Sequence, residues 1–369
     1  MTLQAVPEDR ALPSDPSTPE NPAVTGVPAR GSGRAGDALV ATASRLVSGG
    51  RGVLAADESP KTLTERFDAL GIVSTAETRT TYRELLCSTP DLAESVSGVI
   101  LHRETFLAVL PSGRAFPAFL EDLGLLAGVK VDTGTAPLPG HTPELVTEGL
   151  DGLVGEAAEL RERGASFAKW RAVIAIGEGL PSRACLVANA TALARYALAC
   201  QVGGLVPIVE PEVLMDGDHD LERCAAVTEE VLTTVFAALR DLGVALEGML
   251  LKPSMVLPGK AGPLASVAAV AAATRTCYLR SVPAAVTGVA LLSGGQGEER
   301  ATAHLAEINR QGPLPWPVTF SFGRALQDSV LATWRGSEDR VAEAQAVLHA
   351  RATACAAAAR AAMGQPVAV

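Results

Sequence analysis

The sequence predicts a single α/β domain folded as a (β/α)8 (TIM) barrel over residues 37–363. From about Asp37 onward, short apolar runs alternate with amphipathic helical patterns, as expected for βα units around a parallel sheet. Eight such runs fit into roughly 300 residues, the usual size of one barrel domain. A polar or charged residue follows nearly every run, and barrel strands bring such residues to one rim. A doubly wound sheet is the main alternative, but it does not naturally supply eight strands ending in functional groups.

The eight strand candidates are short and apolar, and each is bounded by glycine, proline or a charged residue. In chain order they are Gly52–Asp57, Gly98–Leu101, Leu125–Lys130, Ser166–Trp170, Leu205–Glu210, Met249–Lys252, Val286–Leu292 and Val318–Ser321.

Helical patterns with an apolar period of 3.6 residues lie between these strands. The clearest cover Arg183–Gln201, Asp220–Leu242 and Glu298–Asn309. Ser74 and Glu77 form a capping-box pattern that predicts the start of a further helix. An alanine-rich stretch, roughly Ser337–Met363, predicts a C-terminal helix packed outside the barrel.

The two ends of the chain differ in composition from the barrel. Residues 1–36 are rich in Pro, Gly, Ser and Thr and have little apolar periodicity, so we expect a disordered N-terminal extension. Residues 364–369 are expected to be a short C-terminal tail.

Composition excludes several classes of function. The 369 residues are 48% hydrophobic with a net charge of −10, which argues against a nucleic-acid or anionic-membrane surface. There is no signal-peptide pattern or membrane-spanning run, and the six cysteines show no CxxC pair, so we expect a cytoplasmic protein with reduced thiols. The five histidines include no close pair at ligand spacing, so no metal or other cofactor is expected.

Lysine is rare in this chain. It accounts for only five of the 31 basic residues, at Lys61, Lys130, Lys169, Lys252 and Lys260. Lysine is therefore expected where arginine fails, and an amine forms an imine whereas a guanidinium does not. Lys252 ends an apolar run that Pro253 stops, so it is predicted at the C-terminal rim of a buried strand. Burial lowers the pKa of an amine and makes it nucleophilic, although a rim lysine can instead extend into solvent.

The predicted strand ends carry charged or small polar residues. They are Asp57, Lys130 with Asp132, Lys169 with Arg171, Glu210 with Glu212, Lys252, Ser293-Gly294-Gly295 and Ser321 with Gly323-Arg324. The last two groups follow the last two strands, the usual phosphate site of a barrel. Lys130, Arg171 and Arg66, with the hydroxyls of Ser59 and Thr62, are expected to hold a second anion across the rim. Individual charged residues of this kind are often structural ion-pair partners, but a charge at nearly every strand end favours a site for an anionic substrate.

These motifs resemble class I fructose-1,6-bisphosphate aldolase. The segments that carry the resemblance are Leu54–Ser59, Gly128–Asp132, Phe167–Arg171, Val206–Glu212, Leu250–Pro253, Leu292–Gln296 and Ser321–Arg324. The resemblance extends in order from about Asp37 to Met363. It implies reversible cleavage of fructose 1,6-bisphosphate to dihydroxyacetone phosphate and glyceraldehyde 3-phosphate, in glycolysis and gluconeogenesis, and a homotetramer.

The resemblance also implies residue roles. Lys252 forms the Schiff base with the C2 ketone, Lys169 is a second lysine beside it, and Glu210 is the general acid and base. Asp57 holds the C4 hydroxyl and pairs with the lysines. The expected substrate-binding residues are Ser59, Thr62, Arg66, Lys130, Arg171, Glu212, Ser293, Gly294, Gly295, Ser321, Gly323 and Arg324.

Three other functions remain open from the residues. A zinc-dependent aldolase is distinguished by sensitivity to EDTA, and a Schiff-base aldolase for another phosphorylated ketose by comparing fructose 1-phosphate with the bisphosphate. A non-catalytic sugar-phosphate-binding scaffold is distinguished by borohydride reduction in the presence of substrate, which traps a covalent adduct only on the enzyme.

Overall fold

Eight parallel strands form a closed barrel in a computed structural model that describes residues 34–361. Ten strands lie in the described residues, eight in the barrel and two in a separate hairpin. They are β1 Gly52–Ala56, β2 Val96–Leu101, β3 Leu126–Lys130, β4 Gly134–Pro137, β5 Leu145–Glu148, β6 Phe167–Ile174, β7 Val206–Val213, β8 Leu250–Leu251, β9 Gly288–Leu291 and β10 Val318–Phe322. The barrel order is β1-β2-β3-β6-β7-β8-β9-β10, with β10 pairing back to β1. All eight predicted strands are thereby confirmed, although β8 pairs through only two residues.

The strands β4 and β5 form a separate antiparallel hairpin between β3 and β6. The sequence analysis did not predict this hairpin. Its strands are four residues long and include Pro137, so they lack a clear apolar alternation.

Twelve α-helices surround the barrel in the described part of the chain. They are α1 Arg34–Val47, α2 Pro60–Asp68, α3 Ala76–Cys87, α4 Arg103–Phe106, α5 Phe116–Asp122, α6 Leu153–Glu162, α7 Arg183–Val202, α8 Leu221–Asp241, α9 Val267–Ser281, α10 Glu298–Arg310, α11 Arg324–Trp334 and α12 Val341–Ala359. The predicted helices 183–201, 220–242 and 298–309 correspond to α7, α8 and α10. The predicted C-terminal helix corresponds to α12, which packs against α10 and α11.

The predicted capping box at Ser74 is wrong by one residue. The N-cap of α3 is Thr75, whose side chain accepts a hydrogen bond from the Thr78 amide at 3.0 Å. The Ser74 hydroxyl instead contacts the Thr64 hydroxyl at 2.7 Å and accepts from Arg79 at 3.1 Å. Both side chains are capable caps, and the tertiary contacts of Ser74 decide between them.

The predicted chain ends lie mostly outside the described residues. Within the extension 1–36, the last three residues form the start of α1, where Asp37 in the first turn complements the helix dipole. Residues 1–33 and 362–369, including the tail 364–369, are not described.

Helix α1 closes the N-terminal end of the barrel. Ala43, Leu46 and Val47 pack with an inner cluster that includes Phe167 and Leu250. The remaining members of the cluster are Val53, Ala55, Ile100, Leu126, Val206 and Ile208. The interior at this end is therefore a packed apolar core rather than a pore.

Two glycines make room inside the barrel for larger side chains. A Cβ on Gly128 would lie 2.1 Å from the ring of Phe167, and one on Gly288 would lie 2.8 Å from Val47. Each glycine therefore allows a neighbour to fill the interior, which is packed as tightly as a protein core requires.

A second, larger apolar core lies between the barrel and its helices. All six cysteines are buried and unpaired, as expected from their spacing. One described helix, α7, is long and apolar enough to cross a membrane by length and composition alone, but 61% of its apolar 18-residue window is buried in the protein. That burial is typical of a core helix.

Candidate active site

The barrel interior changes from apolar to charged toward the C-terminal ends of the strands. Alternate residues of a strand point to the same side. In β6 the inner series begins with Phe167 and continues with Lys169 and Arg171, while in β7 Ile208 is followed by Glu210 and Glu212. Because the strands are parallel and in register, these charged residues meet at one rim.

A cavity of about 350 Å³ opens at this rim. It is lined by Ala55, Asp57, Glu58, Ser59, Thr62, Lys130, Asp132, Gly134, Thr135, Lys169, Arg171, Glu210, Glu212, Lys252, Leu292, Ser293, Gly294, Ser321, Gly323 and Arg324. The structure thus brings together 14 of the 16 residues that the sequence analysis named for the site; Arg66 and Gly295 are not among the lining residues.

Two lysines and two carboxylates form a buried chain across the cavity floor. Lys252 Nζ lies 3.1 Å from Glu210 Oε1, and Lys169 Nζ lies 3.4 Å from Glu210 Oε2. Lys169 Nζ also lies 2.6 Å from Asp57 Oδ2. The Lys252 residue is only 4% exposed, so it does not extend into bulk solvent. Glu210 therefore lies between the two amines and contacts both.

The four charged side chains on the cavity floor stabilise one another's charged forms. Burial raises the pKa of the Asp57 carboxyl, but the ammonium groups of Lys169 and Lys252 outweigh that effect and hold the pKa well below its usual range. Burial lowers the pKa of Lys169, but Asp57 and Glu210 outweigh it and raise the pKa above its ordinary value. Lys169 is consequently a fixed cation and Asp57 a fixed anion at neutral pH.

The two amines differ in their surroundings. Among residues 34–361, Lys169 lies against two carboxylates, whereas Lys252 forms an ion pair with Glu210 alone. Lys252 therefore shares Glu210 with a fixed cation and, among residues 34–361, has fewer carboxylate contacts than that cation.

Two further ion pairs line one side of the cavity. Arg171 binds Glu212, and Lys130 binds Asp132. Asp132 also accepts hydrogen bonds from the backbone amides of Arg171 at 3.3 Å and Gly134 at 3.2 Å. Asp132 thus ties β3, the hairpin and β6 together behind the two cations.

A glycine turn follows β9 on the opposite side. Gly294 and Gly295 have φ values of +57° and +84°, a region that favours glycine. The Gln296 amide donates to the Ser293 carbonyl at 3.1 Å and closes the turn. A Cβ on Gly295 would lie 3.1 Å from the Arg324 guanidinium, so Gly295 lets that group lie against the turn although it does not itself line the cavity.

Two polar groups beside this turn have no recorded partner among the described residues. The Ser321 hydroxyl is buried without a hydrogen bond, and the exposed Arg324 guanidinium forms no ion pair within residues 34–361. Buried polar groups normally have partners. An anion placed over the turn would supply one for both.

The first turn of α2 lies at the rim beside Lys130. Ser59 is its N-cap and accepts a hydrogen bond from the Thr62 amide at 3.1 Å, and the two hydroxyls are 3.0 Å apart. Helix N-termini favour negative charge because their first amides are unpaired.

Arg66 is placed differently from the expectation of a substrate contact. Its guanidinium binds Glu58 at 2.6 Å and Asp328 at 2.9 Å. The predicted contact with a phosphate is not tested by this arrangement and stays a prediction. The pairing arises because Asp328 on α11 is brought beside α2, a contact between residues 262 positions apart.

Four of the lining residues had no signal that single-sequence reasoning would use. Gly134 and Thr135 belong to the unpredicted hairpin, and Ala55 and Leu292 are apolar. Glu58 and Asp132 lie within motifs quoted from the sequence but received no role there. No group of three or more potential metal-ligating side chains was found in residues 34–361.

Comparison with known proteins identifies the family. Residues 38–367 match the family model described as fructose-bisphosphate aldolase class-I. A probable class 1 fructose-bisphosphate aldolase from Xanthomonas campestris pv. campestris is 50% identical over 316 residues, covering 85% of this chain and 95% of the relative. A cytosolic fructose-bisphosphate aldolase 5 from Arabidopsis thaliana is 47% identical over 320 residues, covering 86% and 89%.

A solved structure agrees with these relatives. The fructose-bisphosphate aldolase of Plasmodium falciparum, in a ternary complex with TRAP and a small-molecule inhibitor, superposes with a TM-score of 0.89 at 44% identity. The match covers 90% of this chain and 97% of the other. From the family model, the relatives and the shared barrel, this chain belongs to the class I fructose-bisphosphate aldolase family.

Proposed function

We propose that this class I fructose-bisphosphate aldolase cleaves fructose 1,6-bisphosphate through a Schiff base on Lys252. The products are dihydroxyacetone phosphate and glyceraldehyde 3-phosphate, and the same steps in reverse join them. The observation that carries the proposal is the buried Lys252 amine, 3.1 Å from Glu210 and next to a fixed Lys169 cation, on the floor of a cavity with cations on two sides.

The first half of the reaction forms the imine. Neutral Lys252 Nζ adds to C2 of the ketose, and Lys169 stabilises the oxygen that becomes negative. One proton of the amine passes to that oxygen and gives the carbinolamine. Glu210 in its protonated form then donates a second proton to the same oxygen, which leaves as water, and a protonated imine remains. This cation withdraws electrons far better than the ketone did.

The second half breaks the carbon–carbon bond. The electron pair of the C3–C4 bond moves into the imine and gives an enamine, while the C4 hydroxyl gives its proton to Glu210 and becomes the aldehyde. Asp57, held by Lys169, orients that hydroxyl. Protonation of the enamine at C3 and hydrolysis of the imine release dihydroxyacetone phosphate and restore Lys252.

The two phosphates are assigned to opposite sides of the cavity. Amides, hydroxyls and a guanidinium line one side, supplied by Ser293, Gly294, Ser321, Gly323 and Arg324. Lys130, Arg171, Ser59 and Thr62 supply the other, with Glu212 holding Arg171 in place. A substrate with phosphates at both ends fits this arrangement better than a monophosphate.

Borohydride reduction with substrate tests the proposed intermediate. Treating the enzyme with dihydroxyacetone phosphate and sodium borohydride, with EDTA present throughout, should inactivate it irreversibly and add the mass of the reduced adduct at Lys252. Borohydride without the ketone is the control. Inactivation without added mass, or an adduct on another lysine, would contradict the assignment.

Replacing Arg324 by alanine tests the phosphate site. A charged hydrogen bond contributes about 1.5–3 kcal/mol, so R324A should raise KM for fructose 1,6-bisphosphate about 10- to 100-fold. Steady-state kinetics with fructose 1-phosphate in parallel identify which phosphate is held, because loss with the bisphosphate alone assigns Arg324 to the C6 phosphate. R310A, which alters an exposed pair with Glu307 on α10, should keep the native KM. An R324A enzyme with native KM for both sugars would exclude the contact.

We also infer a cytoplasmic location and a tetrameric assembly. The plant relative named as a cytosolic enzyme supports the first, and the family resemblance is the basis for the second.

A further inference from the structure

The carboxylate of Asp57 lies on a short segment that no strand holds. The ladder between β1 and β2 ends at Ala56, which pairs with Leu101, and Asp57 and Glu58 follow before α2 begins. The proposed chemistry nevertheless requires Asp57 at a fixed place beside Lys169. Something outside the sheet must therefore hold this segment.

Arg83, on α3 behind the cavity, makes the contacts that hold it. Its Nε donates to the Ala56 carbonyl at 2.8 Å, and its Nη2 donates to the Glu58 carbonyl at 2.6 Å. These two carbonyls belong to the residues immediately before and after Asp57. The third nitrogen, Nη1, donates to the Thr105 hydroxyl on α4 at 2.8 Å. One planar group thus spans Asp57 from behind and is itself anchored to a second helix.

Burial of this guanidinium is unusual for a structural residue. Arg83 has no solvent exposure, and it lies outside the cavity lining. Its nearest carboxylate is Glu58 Oε2 at 3.9 Å, so its charge is met mainly by neutral acceptors rather than by a close ion pair. Burying a charge in this way is costly. The geometry accounts for the choice of residue, because only arginine offers a rigid fork that bonds two carbonyls two residues apart.

A second side chain supports the same segment. Gln327 on α11 donates to the Ala55 carbonyl at 2.7 Å and to Glu58 Oε1 at 3.0 Å, and its own oxygen accepts from the buried Tyr82 hydroxyl at 3.2 Å. The backbone from Ala55 to Glu58 is therefore tied from two helices that are far apart in the sequence.

We propose that Arg83 is a positioning residue that acts through Asp57 by fixing the backbone on both sides of it. The inference rests on the role proposed above for Asp57. Loss of the fork lets the Asp57 carboxylate move relative to Lys169 and the reacting hydroxyl. The phosphate contacts other than Ser59 and Thr62 lie on other elements and stay in place.

The test is R83K, which keeps the charge and replaces the planar three-nitrogen fork by a single ammonium nitrogen. A displacement of about 1 Å at a reacting group costs roughly 100-fold in rate, so we expect kcat for fructose 1,6-bisphosphate to fall about 100-fold with KM changed less than about threefold. A second variant, T105V, removes only the anchor of Nη1 and should lower kcat by roughly 3- to 10-fold by the same displacement argument. It tests the inference even if R83K does not fold.

A double-variant cycle with D57N separates positioning from general stability. If Arg83 acts through Asp57, the enzyme carrying both R83K and D57N should be no slower than D57N alone, because effects on one functional unit are not additive. The pair T105V and D57N should behave in the same way. The inference would be overturned if the fold-loss in kcat of the double variant equalled the product of the two single-variant losses. It would also be overturned by native kcat in both R83K and T105V.

Two comparisons complete the design. R79K alters another arginine of α3, which does not line the cavity. The Arg79 guanidinium donates to the Glu104 carboxylate at 2.6 and 2.8 Å, and R79K should keep native kcat. D57N alone tests the underlying proposal. Native kcat in D57N would overturn the role of Asp57 and the inference with it. If D57N is impaired and R83K lowers its kcat further by the same factor as in the native enzyme, only the inference is overturned.

Discussion

Replacing Lys252 by arginine should lower kcat for fructose 1,6-bisphosphate cleavage by about 10⁴-fold or more, on the scale seen when a covalent nucleophile is removed from an enzyme. Arginine keeps a positive charge but does not lose its proton in a protein, so it forms no imine. The phosphate contacts lie on other elements, so we expect the variant still to bind substrate with an affinity near that of the native enzyme.

Three measurements check this prediction. They are steady-state cleavage rates, direct substrate binding by calorimetry, and the mass of protein treated with borohydride and dihydroxyacetone phosphate, which should show no adduct. K260R is the matched control, since Lys260 is exposed and pairs with Asp216 outside the cavity. It should keep native kcat. A K252R enzyme that splits the hexose at the native rate would end the Schiff-base account.

Replacing Glu210 by glutamine should lower kcat by about 10²- to 10⁴-fold, the usual contribution of a general acid and base. The amide has nearly the same shape but transfers no proton, and it removes the carboxylate that lies 3.1 Å from the Lys252 amine. Both imine formation and carbon–carbon cleavage should slow, because the same group serves both steps.

Single-turnover trapping distinguishes this effect from a loss of binding. With borohydride present, E210Q should accumulate the Lys252 adduct more slowly than the native enzyme at saturating dihydroxyacetone phosphate. E229Q, which alters an exposed carboxylate 3.5 Å from Arg280, should behave as native. If E210Q trapped and cleaved within about threefold of native rates, another group would have to be the proton carrier.

The predicted position of Lys252 illustrates how far pattern reasoning reaches. An apolar run stopped by Pro253 correctly indicates a buried strand end, because proline removes a ladder donor and parallel strands are apolar throughout. The predicted strand ends at Trp170 and Glu210 are too early, because β6 continues to Ile174 and β7 continues through Pro211 to Val213. The pattern also gave no indication that β8 would pair through only two residues, since ladder length depends on the neighbouring strands.

The hairpin and helix α1 show where such reasoning stops. The β4–β5 hairpin adds Gly134 and Thr135 to the cavity, but its short strands do not alternate clearly. Helix α1 closes the N-terminal end of the barrel, and its first turn lies in a stretch whose composition predicts disorder. In both cases contacts with distant strands stabilise a segment that its own sequence does not.

The sequence alone predicts the barrel, its functional rim and the residues expected to react. These predictions come from the order of the apolar runs, the residues that end them and the rarity of lysine. These properties are local, because the apolar pattern of a strand and the position of its end depend on residues that are close in the sequence. Only the folded chain decided that Glu210 lies between Lys252 and Lys169, that Asp57 pairs with Lys169, that Arg66 is bound by Glu58 and Asp328, and that buried Arg83 holds the backbone around Asp57. Each of those contacts except Arg66–Glu58 joins residues from different elements, and the choice among partners depends on distances and burial that arise when the barrel closes.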